Sequence, residues 1–319
     1  MLAADDAASY PLIDNKVFLS HAYSDHKECV RDKPSDRTAT CNSKVLKLER
    51  WLDRPSYDGF LLHSWSKEST MMCPIVLNIP HSSTIIPDEY RALFYPIDIN
   101  EELRIMTDWY TEELFAVDGV KAIVAPVSRL LVVTERFDDD EAESMSGVGM
   151  GAVYTRTSKG EPLKKVTSSI RSELMTRCYY PYHKTLEAAV DNVLSNFGKA
   201  IIIDCHSFSS IPLPHEPDQR YPRPDICIGT NHYHTPLWLS ESIRASAQKN
   251  GYSVAFDTPF AVTIVTLKHY CKTRGVYSVM IEINRSIYMD EITLIKNFGN
   301  FAAHNKMISN LVWEIRKSI

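Results

Sequence analysis

The sequence predicts an α/β fold in which a largely parallel sheet is covered by helices on both faces. From residue 73 onward, short runs rich in Ile and Val alternate with longer amphipathic stretches. This alternation is typical of parallel sheets, whose strands are buried on both sides and therefore read as continuous apolar runs. The working side chains of such folds collect beyond the carboxyl ends of the strands. We therefore look for candidate functional residues at the ends of the apolar runs.

The apolar runs predict seven strands, at 74–79, 121–126, 129–134, 200–204, 225–230, 252–256 and 277–283. Apolar residues at helical spacing predict four helices between and after them, at 100–117, 165–196, 236–250 and 289–317. The first run follows Met71 and Met72. We therefore predict that the functional domain spans 71–319.

Residues 1–70 differ from the rest of the chain. They are polar and rich in turn formers, and stretches such as "RDKPSDRTATCNSK" show neither helical nor strand periodicity. Only "VLKLERWLD" has the pattern of a short amphipathic helix. We predict an irregular, partly disordered N-terminal extension.

Composition excludes several classes of protein. The formal net charge of −5, with no dense block of Lys and Arg, argues against nucleic acid as a partner. The sequence has no apolar run long enough for a membrane span. Its seven scattered cysteines lack a CxxC pair, and acidic residues stand where a signal peptide would be basic. These features predict a cytoplasmic protein that does not bind membranes.

Three of the apolar runs end in polar side chains suited to metal chemistry. "PIVLNIPHSS" leads to His81, "IIIDCHSF" to His206, and "YSVMIEINR" contains Glu282. Two imidazoles and a carboxylate, with a position left for water, form the ligand set of a hydrolytic zinc site, and a further carboxylate can act as general base. The alternative is structural: two hydrogen-bonded histidines, and a salt bridge from Glu282 to Arg285. The pattern alone leaves both readings open.

Other features near these ends have simpler readings. Cys205 adjoins His206, but neighbouring residues of a strand point to opposite faces, so we predict a buried thiol that faces away. Arg129 and Arg136 bound one apolar run, and Arg285 follows another. Arginine at such positions suits the binding of a carboxylate. Ion pairs with the acidic run at 138–141 are the alternative.

A series of segments in this order resembles the N-formylglutamate amidohydrolase family. The segments are "NIPHSS", "TDWYTEELF", "SRLLVVTERF", "YYPYHKTLE", "DCHSF", "RPDICIGT" and "IEINRSIYMDE". The likeness covers roughly residues 74–295. It implies a three-layer α/β sandwich with a mostly parallel mixed sheet, resembling zinc-dependent exopeptidases. It also implies one zinc ion and hydrolysis of N-formyl-L-glutamate to formate and glutamate in histidine catabolism.

Carried onto this chain, the resemblance implies that His81 and His206 are metal ligands and that Glu282 is the general base. Asp108 of "TDWYTEELF" is the expected third ligand. On a helical wheel, however, Asp108 lies nearly opposite the apolar stripe, whereas Glu113 lies nearer to it. Glu113 therefore stays a rival for the third ligand.

The remaining implied roles concern the substrate and support of the metal site. Arg129 or Arg136 would bind a substrate carboxylate or the developing oxyanion. Asn284 and Arg285, just beyond Glu282, are further substrate-binding candidates. Asp204, two residues before His206, would support the site by contacting a metal ligand rather than the metal.

The sequence departs from the family pattern mainly on the presumed substrate side. Val133 and Glu135 stand where family members often have Asp and Asn. Two alternatives to the deformylase therefore stay open. One is a carboxypeptidase-like or other N-acyl-amino-acid hydrolase, and the other is a non-catalytic ligand-binding relative.

Overall fold

A six-stranded mixed sheet forms the core of the part of the chain that the structure describes. The computed structural model of the chain describes residues 73–317, so the predicted extension at 1–70 and its short helix lie outside the described residues. The strands are β1 (Ile75–Ile79), β2 (Lys121–Val124), β3 (Ala200–Phe208), β4 (Ile226–Gly229), β5 (Val254–Phe256) and β6 (Val276–Asn284). Their order across the sheet is β2-β1-β3-β6-β4-β5.

The sheet is mostly parallel. Strands β2, β1, β3 and β6 run in the same direction. Strand β4 pairs antiparallel with β6, and β5 pairs parallel with β4. The carboxyl ends of β1, β3 and β6, which are neighbours, therefore meet at one edge. This arrangement confirms the predicted α/β class and brings together the strand ends that carry the candidate residues.

Helices connect the strands. The α-helices are α1 (Asp88–Arg91), α2 (Ile99–Met106), α3 (Thr111–Leu114), α4 (Ser168–Leu174), α5 (Tyr180–Phe197), α6 (Leu237–Lys249) and α7 (Phe298–Lys317). A π-helical turn, Met175–Tyr179, joins α4 to α5, and short 3₁₀ segments occupy Ser144–Val148 and Arg285–Ile287.

Several helix ends follow from local chemistry. The Asp98 side chain accepts hydrogen bonds from the amides of Asn100 and Glu101 and so caps α2. Thr167 caps α4 in the same way. Gly198 ends α5 at φ +72°, a left-handed conformation that glycine adopts without steric cost.

Apolar side chains cover both faces of the sheet. On one face Ile201, Ile203 and Cys205 pack in a single cluster with α6 and α7. On the other face Val76 and Ile202 pack against α5. The result is three layers. Cys205 is fully buried on the face opposite His206, which confirms its prediction as a buried thiol that faces away.

The predicted helix 100–117 is interrupted. Helix α2 ends at Met106, Thr107 is extended, and Tyr110 has φ +65° before α3 begins. At the break the Asp108 amide donates to the His81 carbonyl (3.0 Å). The interruption has a physical reason, because it ties this segment to the chain leaving β1 and places Asp108 against the sheet edge rather than in solvent.

The predicted strand 129–134 is wrong. This segment is irregular, and residues 130–133 lie in an apolar cluster beside the sheet rather than in a ladder. The Leu131 amide turns back to the Ser128 carbonyl (2.9 Å), and the Lys164 ammonium donates to the Leu130 and Leu131 carbonyls. Apolar runs of this length do not distinguish a strand from other buried chain.

The last predicted helix, 289–317, begins later, at Phe298. The Asp290 carboxylate accepts hydrogen bonds from the amides of Ile292 and Thr293, and Leu294 has φ +58°. A side chain that captures nearby amides in this way competes with helix formation. None of the helices in residues 73–317 combines the length and the apolar character required to cross a bilayer.

Candidate active site

A row of polar side chains lies across the carboxyl ends of β1, β3 and β6. Asn78 is the register partner of Asp204, and His206 is the register partner of Glu282. Register partners in parallel strands point to the same face, and Asp204 and His206 share a face because they are two residues apart. The alternating polar residues of these strands therefore place Asn78, Asp204, His206 and Glu282 as a buried group on one face of the sheet.

Two histidines and one glutamate meet at this edge. Glu135 Oε2 lies 3.0 Å from His81 Nε2, and Glu135 Oε1 lies 3.1 Å from His206 Nε2. One donor atom from each residue lies within 4.8 Å of the others. Both imidazoles are almost completely buried, and the Glu135 side chain is 16% exposed.

This cluster fits a divalent metal ion. Two imidazole nitrogens and a carboxylate oxygen are zinc ligands in catalytic sites. The Glu135 oxygens lie 3.0 and 3.1 Å from the two imidazole nitrogens, so the three side chains are close enough to share one ion. His81 and His206 are thus brought together as the sequence predicts. The clustered carboxylate, however, is Glu135.

The electrostatics of the cluster also favour a cation. Burial, with the neighbouring Asp204 charge acting in the same direction, raises the pKa of Glu135 to about 8. Burial lowers the pKa of His206, but the Glu135 and Asp204 carboxylates outweigh it and hold that pKa well above the ordinary value. Burial and then the Arg129 charge lower the pKa of His81. A cation bound beside Glu135 would offset the cost of ionising a carboxyl group buried to this degree.

Asp108, the expected third ligand, lies on the other side of the His206 ring. Its Oδ2 is 3.2 Å from His206 Nδ1 and accepts from the Ser207 amide (3.3 Å). Its Oδ1 is 3.6 Å from both Arg129 and Arg285. A carboxylate at this position orients the imidazole rather than joining the cluster formed through Nε2.

Glu113, the rival ligand, is not part of the site. Its side chain is 59% exposed and pairs with Lys296. Asp204, the predicted supporting residue, lies on the same side of the His206 ring as Glu135. Its Oδ1 is 3.0 Å from His206 Nε2, and its Oδ2 accepts from the Ile264 amide (3.0 Å).

Glu282 lies beside the cluster, as the register partner of His206. Its side chain is 7% exposed, and Oε2 has no hydrogen-bond partner among the described residues. Burial raises the pKa of Glu282 to about 8, His206 and Arg129 lower it, and the charges of Asp108 and Glu135 add to the rise. A buried carboxyl with an unpaired oxygen and a pKa near neutrality has the properties of a general acid–base group.

The four predicted substrate-binding residues divide into two pairs. The Arg285 guanidinium donates to the Ile105 carbonyl (2.7 Å), and the Asn284 side chain caps the 3₁₀ turn that follows β6. Both are buried and occupied by protein partners. Arg129 is 16% exposed and lies 3.3 Å from the Tyr154 hydroxyl, whereas Arg136 is 29% exposed and has a 3.7 Å contact with Glu143.

Sequence reasoning missed two residues in this region. Glu135 follows the apolar run "RLLVVT", which is the same signal that identified His206. His215 gave no such signal. Its Nδ1 donates to the Ser158 carbonyl (3.1 Å), and burial, with the charges of Arg129 and Arg136 acting in the same direction, lowers its pKa to about 4. His215 is therefore a neutral imidazole in the electrostatic field of Arg129 and Arg136.

Comparison with known proteins identifies relatives of this arrangement. A family model described as N-formylglutamate amidohydrolase matches residues 73–289. An N-formylglutamate deformylase of Pseudomonas putida is 29% identical over 229 residues, which cover 68% of this chain and 82% of that protein.

Two solved structures share the fold. The N-formylglutamate amidohydrolase of Ralstonia eutropha JMP134 superposes with a TM-score of 0.65 at 23% identity, covering 77% of this chain and 94% of that one. A protein of Agrobacterium tumefaciens superposes with a TM-score of 0.55 at 18% identity, covering 77% and 93%.

Proposed function

The chain belongs to the N-formylglutamate amidohydrolase family, and from this premise we propose that it is a metal-dependent deformylase that hydrolyses N-formyl-L-glutamate to formate and glutamate. Hydrolysis of an amide is the chemistry of the family. The observation that carries the metal-dependent proposal is the cluster of His81, Glu135 and His206 with Glu282 beside it. A cytoplasmic location and a role in histidine catabolism belong to the same proposal.

We assign the metal to His81, His206 and Glu135. Asp108 then acts on the far nitrogen of His206, where it fixes the tautomer that leaves Nε2 free to bind the ion. A bound zinc ion would supply Lewis acidity, polarising the amide carbonyl and lowering the pKa of water. Arg285, next to Asp108 and hydrogen-bonded to a backbone carbonyl, holds that carboxylate in place.

Glu282 is the proposed general base. Its unpaired Oε2 would take a proton from the attacking water and deliver it to the nitrogen of the leaving glutamate. Burial favours this shuttle because it raises the pKa of the carboxyl into the range where it can both accept and release a proton near neutral pH.

The two partly exposed arginines, Arg129 and Arg136, are the proposed receptors for the substrate carboxylates. N-formylglutamate has two carboxylates, and arginine binds carboxylates with two parallel hydrogen bonds. Arg136 is the stronger candidate because its long contact with Glu143 leaves guanidinium donors available. Arg129 lies closer to the buried carboxylates and suits the developing oxyanion.

The decisive experiment is a formate-release assay combined with metal analysis. We expect the purified protein to contain about one divalent metal ion per chain, to lose formate release from N-formyl-L-glutamate after chelation, and to regain it with Zn²⁺. N-acetyl-L-glutamate is the matched control substrate, since it keeps both carboxylates and changes the acyl group. Normal metal content with glutamate released only from other amides would favour the N-acyl-amino-acid hydrolase alternative.

Two results would contradict the proposed mechanism itself. One is a protein that binds no divalent metal under any loading condition. The other is a His206→Ala variant with unchanged activity, because this imidazole contributes a donor atom to the cluster. A metal-loaded protein that hydrolyses none of these amides would instead support the non-catalytic alternative.

A further inference from the structure

Strand β1 buries an amide in the middle of an apolar sequence. Asn78 is the polar member of "IVLNI" and is 0% exposed. An amide side chain buried in this way is costly unless its hydrogen-bonding groups find partners. Asn78 has partners for both its oxygen and its nitrogen, and all of them are side chains of distant segments.

The nitrogen of this amide donates hydrogen bonds to two carboxylates of the candidate site. Asn78 Nδ2 donates to Glu135 Oε1 (3.0 Å) and to Asp204 Oδ1 (2.8 Å). Glu135 Oε1 and Asp204 Oδ1 are also the atoms that contact His206 Nε2, at 3.1 and 3.0 Å. Asn78 therefore fixes the carboxylate oxygens that face the imidazole.

Glu135 needs such a partner because its segment has no strand ladder. Residues 129–136 are irregular, so backbone pairing does not set the direction of the Glu135 side chain. A metal ligand has to be held within a fraction of an ångström, which requires hydrogen bonds from neighbouring side chains. The contact from Asn78 Nδ2 supplies one.

The orientation of the Asn78 amide depends in turn on Tyr182. The Tyr182 hydroxyl donates to Asn78 Oδ1 (2.5 Å), and its contact with the Ile123 carbonyl is longer (3.4 Å). An amide can rotate by 180° and exchange its oxygen and nitrogen with little change in shape. The hydroxyl opposes this rotation, because the flipped amide would present its oxygen to Glu135 and Asp204.

We propose that Tyr182 is a positioning residue for the metal site. Its hydroxyl locks the Asn78 amide with both N–H groups toward the carboxylates, and the locked amide holds Glu135 between His81 and His206. This inference rests on the proposed metal-dependent function. It assigns a role to an aromatic residue that touches neither substrate nor metal.

The test is the metal affinity of a Tyr182→Phe variant. Removing the hydroxyl keeps the ring, which packs with the apolar residues of α5, so we expect the fold to be retained. We expect the dissociation constant for Zn²⁺, measured by competition with a chromogenic chelator, to rise about 10- to 100-fold. The visible spectrum of the Co²⁺-loaded variant should also change, because the ligand geometry relaxes.

Tyr90→Phe is the matched control. Tyr90 is also buried (6% exposed), and its hydroxyl also donates to a side chain, Glu173, at 3.0 Å. Its partner is outside the candidate site. We expect this variant to keep wild-type Zn²⁺ affinity and the wild-type Co²⁺ spectrum, which separates positioning of the ligand from the general effect of removing a tyrosine hydroxyl.

A double-mutant cycle shows whether Tyr182 acts through Asn78. Asn78→Ala should weaken Zn²⁺ binding at least as much as Tyr182→Phe, and the double variant should match Asn78→Ala alone. The Asn78→Ala measurement also keeps the inference testable if Tyr182→Phe does not fold. Multiplicative effects of the two changes, or a Tyr182→Phe affinity within twofold of wild type, would overturn the inference.

The two proposals fail in different ways. If the wild-type protein binds no divalent metal, the proposed function and this inference are both wrong. If the wild-type protein binds Zn²⁺ and releases formate while Tyr182→Phe behaves identically, the inference alone is wrong.

Discussion

The two ring nitrogens of His206 face different carboxylates. Asp108 lies 3.2 Å from Nδ1, and Glu135 lies 3.1 Å from Nε2. Both residues are acidic and contact the same imidazole. Because they lie at different ring nitrogens, we propose different roles for them. In the proposed function Asp108 orients the ring, whereas Glu135 shares the Nε2 side with His81, where the three residues could hold a metal ion.

Glu282 and Glu135 should respond differently to the same substitution. We expect Glu282→Gln to keep its metal and lose about 10²- to 10⁴-fold in kcat, because the amide cannot carry a proton from water to the leaving nitrogen. Glu135→Gln should lose metal affinity instead. Metal content by elemental analysis and kcat by formate release separate the two outcomes. A Glu282→Gln variant that loses its metal would show that Glu282 is a ligand.

Much of the candidate site could be predicted from single residues. His81, His206 and Glu282 follow from the rule that parallel strands carry functional groups at their carboxyl ends. Glu135 could not be ranked above its neighbours, because its position depends on contacts with β1 and β3 that are distant in sequence. The burial of Asn284 and Arg285 likewise depends on tertiary packing rather than on their place after β6.

Among the elements, the segment 128–136 is held by side chains in place of a strand ladder. Lys164 donates to two of its carbonyls, the His183 imidazole donates to the Thr134 carbonyl (2.7 Å), and the Tyr179 hydroxyl donates to the Arg136 carbonyl (2.7 Å). Tyr179 lies in the π-helical turn before α5. These donors flank Glu135 on both sides, so the π turn and the start of α5 help to hold the segment that enters the site.

Lys164 should make stability depend on pH. The side chain is 2% exposed, and burial lowers its pKa to about 7 from an ordinary value near 10.5. Above pH 7 the folded state releases this proton while the unfolded state still binds it, so the free energy of unfolding should rise with pH between about 7 and 10. The slope from this group is at most about 1.4 kcal/mol per pH unit. Denaturant unfolding at several pH values measures it.

Lys164→Met should remove this contribution, since methionine has a similar length and no charge. Lys159→Met, at an exposed position five residues earlier, is the control and should keep the wild-type slope. An unchanged slope in Lys164→Met would mean that the buried ammonium does not release its proton in this range.

The sequence pattern located six of the seven predicted strands and gave the approximate span of the helices. It did not predict the break at Thr107–Tyr110 or the late start of α7. Each depends on a hydrogen bond made outside the helix, by the Asp108 amide in the first case and by the Asp290 carboxylate in the second. The pattern also predicted a strand at residues 129–134, which is wrong. That run is apolar because it is buried, and burial alone does not specify a ladder.

At the scale of the whole molecule, the family model matches residues 73–289, and each proposed site residue lies within that span. We therefore keep the proposal that the functional domain spans 71–319 and that the extension at 1–70 takes no part in the chemistry.

Removal of the extension tests this domain boundary. A chain that starts at Met71 should fold and release formate with a kcat within about twofold of the full chain, because each proposed site residue lies after residue 73. Circular dichroism and the formate assay check both properties on the same sample. Loss of activity with retained folding would show that the extension contributes to the site.

The register between β3 and β6 also determines when catalytic activity can first appear during synthesis of the chain. His206 and Glu282 become neighbours only when these two strands pair, although 76 residues separate them in the chain. During synthesis, the imidazoles leave the ribosome well before the proposed base does. We therefore expect a nascent chain to show no hydrolytic activity until β6 has emerged and paired with β3.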